Sequence, residues 1–202
     1  MWTEIAPFLA TCLAIELTPG PNMVYLVLLS AQRGRIAGLL AACGVATGLL
    51  TIGLLAAFGL GRFVQDTPVL YQTLRWAGVF YLIYLAWDCW REANAPDDLP
   101  VAGSTLGAAF RRGLITNLLN PKAFLFYITV LPGFVAVETN YSAQVQILTV
   151  LYVVVATLVH VTLAIGAGGF QGVLAHPRWR RRAGLVAALL LLAVAAWVAL
   201  KA

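Results

Sequence analysis

The chain has 202 residues, of which 61% are hydrophobic and only 10% charged, with a net charge of +5. A soluble domain carries about 25% charged residues because its surface faces water. This chain lacks that surface, and its arginines are confined to short segments between long apolar runs. That pattern excludes a basic nucleic-acid-binding domain and marks a multi-pass integral membrane protein.

Six apolar runs follow in order. The first, Ile5 to Ser30, is interrupted by Pro19-Gly20-Pro21, and Gln32-Arg33-Gly34-Arg35 separates it from a Gly/Ala-rich second run, Ile36 to Gly61. A polar break, Arg62 to Pro68, leads to the third run, Val69 to Trp90, and then to the longest polar stretch, Arg91 to Gly103. The fourth run, Leu106 to Leu131, is interrupted at Asn120-Pro121. After a loop from Pro132 to Ser142 come the fifth run, Ala143 to Phe170, the arginines 178, 180, 181 and 182, and a last run, Ala183 to Leu200. Each run is long enough for a helix to cross about 30 Å of hydrocarbon, and the lack of alternation does not fit a barrel.

The expectation is an all-α, polytopic membrane protein with six transmembrane helices, helices 1 and 4 being broken. It forms one transmembrane domain over 1–202: a three-helix half at 1–90, a cytoplasmic connecting loop at 91–105 and a second half at 106–202. Five crossings are the alternative if one broken helix is re-entrant. Most Lys and Arg lie in or beside the first, third and fifth loops, which places those loops in the cytoplasm and both termini outside. Met1-Trp2-Thr3-Glu4 lacks the basic start of a cleavable signal, so the first helix is expected to stay.

The breaks are where chemistry is expected. A proline within a spanning helix removes a backbone hydrogen bond and bends the chain. The freed groups must line a cavity or meet protein, because lipid offers no partners. Both breaks fall near the middle of their runs, and superposing the halves sets Gly20-Pro21-Asn22 on Asn120-Pro121-Lys122. With an odd number of crossings per half, the halves are inverted, and paired breaks point to a transporter site between them. Glu16 lies one turn before the first break; Lys122 follows the second, with Asn117 and Asn120 on one face. Charges at that depth are costly facing lipid and should face inward. Glu16 and Lys122 form either a static pair or a site for a zwitterion. In the second reading Glu16 takes the ammonium, or carries a coupling proton, and Lys122 with a half-helix N-terminus takes the carboxylate.

Other residues have a structural and a functional reading. His160 is a hydrogen-bonded packing residue or part of a proton relay with Glu16. Asp88, near a helix end, is expected at the exposed interface. Trp76, Phe80, Tyr84 and Trp87 share one helix face, either touching lipid or walling a passage. Gly44 and Gly48, in a small-residue stripe with Gly38, Ala41 and Thr51, allow close helix packing or sliding. Gly166, Gly168, Gly169 and Gly172 end the fifth helix or hinge it. Cys12, Cys43 and Cys89 form no metal or redox motif and read as small packing residues. A membrane enzyme would need a constellation of His, Asp, Glu or Cys at an interface, and a metal or inorganic-ion transporter several such ligands in its helices; both are sparse here. A non-transporting assembly subunit would not need two midplane breaks.

Leu17-Thr18-Pro19-Gly20-Pro21-Asn22, Gly34-x-x-x-Gly38 and Gly44-x-x-x-Gly48 resemble the first half of the LysE/RhtB family of amino-acid exporters. Phe110 to Ala123, containing Asn117, Asn120, Pro121 and Lys122, with Leu131-Pro132-Gly133-Phe134-Val135 beyond it, is similar to that family's second signature. The resemblance implies efflux of amino acids or related small metabolites across the bacterial inner membrane, driven by the proton gradient. It brings no cofactor, and its partners are a small-molecule substrate and lipid, with association of copies left open. Two departures stand out: Asn22 where the family often has an acidic residue, and Gly133 where it usually has Gln.

Overall fold

The computed structural model describes residues 5–17, 20–59, 67–94, 106–135, 140–169 and 176–200. Expectations attached to Thr18, Pro19, Gly172 and most of the connecting loop lie outside these residues. Within them the chain is helical and has no strand. The helices are α1 (Ile5–Leu17), α2 (Pro21–Arg33), α3 (Arg35–Ala57), α4 (Pro68–Ala93), α5 (Leu106–Leu118), α6 (Pro121–Leu125), α7 (Tyr141–Gly168) and α8 (Pro177–Leu200). Beyond α6 the chain continues through a π-helical turn, Phe126–Val130, and a 3-10 turn, Leu131–Phe134. Pro132 has no N–H to extend an α-helix, and the Leu131 N–H reaches back five residues to the Phe126 carbonyl.

Both expected interruptions are real. α1 and α2 meet at 59°, and the halves of the second broken helix at 53°. Each restart is set by local sequence. Pro21 and Pro121 stand at the first helical position, where a missing N–H costs nothing. α3 and α7 are each long and apolar enough to cross a membrane, and each bent pair meets the same requirement when taken as one span, giving two to four such spans. α4 has 26 residues but is diluted by polar and charged side chains. α8 begins at Pro177, so the arginine cluster occupies its first turns rather than a preceding loop.

α3 lies at the centre, with α5 on one side and α7 on the other. α2 packs on α3 and α7, α1 on α7, and α8 covers α4. The central seam depends on glycine. A Cβ at Gly44 would collide with the Phe110 carbonyl, one at Gly113 with the Ala41 carbonyl, and one at Gly48 would lie 2.7 Å from the Asn117 amide nitrogen. Close backbone approach is therefore the observed role of Gly44 and Gly48. Gly34 joins α2 to α3 with φ of 87° and ψ of 173°, a conformation that only glycine adopts readily. Of the late glycines, Gly168 packs against the Arg35 backbone while Gly166 faces open space.

The aromatic face of α4 points outward: Trp76, Phe80, Tyr84 and Trp87 are all exposed. The passage-wall reading does not hold for them, and on a membrane protein such rings meet lipid. Cys12 is buried, Cys89 half-buried and Cys43 exposed, so packing accounts for the first two but not the third.

Candidate functional site

Buried residues on α1 recur every fourth position as Phe8, Cys12 and Glu16. On α7 the same spacing gives Leu148, Tyr152, Ala156, His160, Ala164 and Gly168. These two stripes face each other, which places Glu16 opposite the small Ala156 between two polar side chains. The Tyr152 hydroxyl donates to Glu16 Oε1 at 2.7 Å. His160 Nε2 lies 3.3 Å from Glu16 Oε2. Both carboxylate oxygens are thus engaged in a nearly water-free setting. Among the described residues, His160 Nδ1 has no hydrogen-bond partner.

The two breaks meet beside this group. Asn22 Nδ2, in the first turn of α2, donates to Asn117 Oδ1, near the end of α5, at 2.7 Å. Asn117 is fully buried against Gly48 of α3. Asn120 caps the restart of the second helix, its Oδ1 accepting the Lys122 N–H at 3.0 Å. Gly20 precedes α2 in extended conformation and provides no side-chain cap. A narrow cavity of about 10 Å³, room for about one water molecule, is lined by Glu16, Gly20, Asn22, Asn120, Lys122 and His160 on its polar side. Met23, Leu49, Ala123 and Tyr152 complete the wall.

An aromatic layer adjoins the cavity. Phe126 stacks on Tyr152 with ring centroids 3.7 Å apart, Phe8 packs on Phe126, and Phe134 meets the edge of Phe8. The π-helical turn carries Phe126 and Tyr127 into this layer, and the Tyr127 hydroxyl donates to the Leu49 carbonyl at 2.9 Å. It makes a dense wall on one flank of the polar group.

The family model for LysE type translocators matches residues 13–202. This chain belongs to that family. The chain is 37% identical over 144 residues to the leucine efflux proteins of Salmonella choleraesuis (strain SC-B67) and Salmonella typhimurium (strain LT2), an overlap covering 70% of this chain and 66% of theirs. It is 33% identical over 139 residues to an uncharacterized membrane protein of Pseudomonas aeruginosa, covering 66% of this chain and 64% of that one. The chain thus spans just under two thirds of the length of these relatives. No solved structure matches it.

Of the translocator's sequence-marked residues, Glu16, Gly20, Asn22, Asn120, Lys122 and His160 line one cavity, and Asn117 is bonded to Asn22. Pro21 is buried beside it, and Pro121 starts α6. Tyr152 was not marked by sequence reasoning, although its place in the four-residue stripe with His160 was the available signal. Asp88 corrects an expectation. Instead of sitting at an exposed interface, it is 2% exposed. Its Oδ2 pairs with Arg112 Nη1 at 2.6 Å and its Oδ1 with Arg91 Nη2 at 2.9 Å. Two guanidiniums offset the cost of burying one carboxylate.

Proposed function

We propose that this translocator exports amino acids from the bacterial cytoplasm across the inner membrane, driven by the proton gradient, with the cavity between the two helix breaks as the substrate site. The observation that carries the reading is the Asn22–Asn117 hydrogen bond, which joins the two breaks over one buried polar cavity. The relatives named for leucine efflux make leucine the first substrate to test.

The lining suits a zwitterion with an apolar side chain. Lys122 and the uncapped first turn of α2 attract a carboxylate. Glu16 receives the ammonium, and the Glu16–His160 pair holds or releases the coupling proton as substrate arrives. Met23, Leu49 and Ala123 receive the side chain. A cavity the size of a water molecule admits an amino acid only when helices part, and the glycine seam of α3 on α5 is the smooth surface for that movement.

In this reading α4 and α8 join the two single spans and the two bent pairs as six crossings, arranged as two inverted three-helix halves. The arginine-rich loops face the cytoplasm, with both termini on the periplasmic side. The test is uptake of a panel of labelled amino acids by inside-out membrane vesicles under an imposed proton gradient. Accumulation of leucine or another apolar amino acid above vesicles lacking the protein, abolished by collapsing the gradient, is expected. Gradient-independent background for every amino acid would overturn the reading.

A further inference from the structure

A second polar cluster lies outside the cavity, about a turn beyond it along α2, which lines the cavity, and along α5, which is bonded to that wall through Asn117. Tyr25 follows Asn22 by three residues on α2, and Arg112 precedes Asn117 by five on α5, about 7.5 Å along the axis. The Asn22–Asn117 bond therefore stands between this cluster and the cavity. Arg112 carries Asp88 of α4 at 2.6 Å. The Tyr25 hydroxyl lies within electrostatic reach of Arg112, Arg33, Tyr81 and Cys89, the neighbour of Asp88. Tyr25 is 3% exposed and its hydroxyl has no hydrogen-bond partner among the described residues.

A clamp built only to hold α4 on α5 has no use for that hydroxyl. Buried polar groups are nearly always bonded, and an orphan needs a reason. The guanidinium is a planar fork matched to a carboxylate, and a phenol within electrostatic reach of it offers a further donor to the same anion. One oxygen of the Asp88 carboxylate already sits on Arg112 Nη1, its other oxygen being held by Arg91.

We propose that Arg112 and Tyr25 form a docking site for the carboxylate of the amino acid before it reaches the cavity, and that Asp88 holds Arg112 until the substrate's carboxylate replaces it. The proposal rests on the export reading. Replacement also loosens the link between α4 and α5, so the arriving substrate opens its own route past Asn22 and Asn117.

The competition gives two variants opposite signs. Inside-out vesicles carrying wild type, Tyr25→Phe or Asp88→Asn are assayed for labelled leucine uptake, with protein abundance and melting temperature measured alongside. Tyr25→Phe removes one donor and raises KM about fivefold, the worth of one hydrogen bond, while the maximal rate changes less. Asp88→Asn removes the competitor and lowers KM by about threefold or more. A purely structural cluster predicts the reverse emphasis: a lower melting temperature with KM unmoved. KM equal to wild type in Tyr25→Phe at normal abundance overturns the docking site, and that variant decides alone if Asp88→Asn does not accumulate. Absence of uptake by the wild type overturns the export reading and the docking site with it.

Discussion

The two helix breaks use the same device and finish it differently. At the second, Asn120 bonds the Lys122 N–H, so the restart of the helix is satisfied from within. At the first, Gly20 has no side chain to give, and the first turn of α2, whose Asn22 and Met23 line the cavity, has no side-chain cap. The second break is a closed joint that positions Lys122; the first leaves its donors to whatever enters. The acidic group follows the same division. Glu16 ends the helix before the uncapped break and is clamped from α7 rather than from its own half.

Variants at each break, and at the seam that carries the second, sharpen or break this contrast. The largest effect belongs to Glu16. Glu16→Gln keeps the shape that Tyr152 holds but removes the charge proposed to hold the coupling proton, and gradient-driven uptake should fall about 100-fold or more. Membrane abundance within a factor of about two separates this from misfolding. Unimpaired uptake by Glu16→Gln would remove the proton role from the first break.

Next is the seam that carries the second break. Gly44→Leu drives a side chain into the Phe110 carbonyl. Overpacking of this kind costs about 1–3 kcal/mol, read as a lower melting temperature in detergent. A melting temperature equal to wild type would mean that α3 and α5 are not in close contact.

The smallest effects set the breaks directly against each other. Asn120→Ala loses the cap and should cost about 1 kcal/mol of stability. Gly20→Ser supplies a cap where none exists and should gain about 0.3 kcal/mol of stability, yet impair leucine uptake by occupying the donors proposed for the carboxylate. Normal uptake by Gly20→Ser would show that those donors do no work in transport.

Much of this was legible along the chain. The apolar runs gave the helices, and Pro19-Gly20-Pro21 and Asn120-Pro121 marked the breaks, because a missing N–H has the same consequence in any fold. Gly44 and Gly48 announced a close contact, though not that Phe110 and Asn117 lie across it. Partners between distant segments were the illegible part. Glu16 and Lys122 drew attention as opposite charges near two breaks, but Tyr152, 136 residues away, takes one carboxylate oxygen of Glu16. Asp88 looked interfacial because it lies near the end of its helix; only α5, returning alongside α4, brings Arg112 to it. The start of α8 was placed too late because arginine signals a membrane boundary while being a good helix former, so helix and apolar run need not begin together.

The central claim is that the two breaks enclose an amino-acid site, and Met23 gives the most direct access to it. It lines the cavity beside the uncapped turn without making the Asn22–Asn117 bond. Met23→Cys, in a background with Cys12, Cys43 and Cys89 replaced by alanine, would be treated with a small membrane-permeant thiol reagent in vesicles with and without leucine. The account predicts that the cysteine reacts, and that leucine slows the reaction over the same concentration range in which it saturates transport. A labelling rate indifferent to leucine and to every other transported amino acid would contradict it.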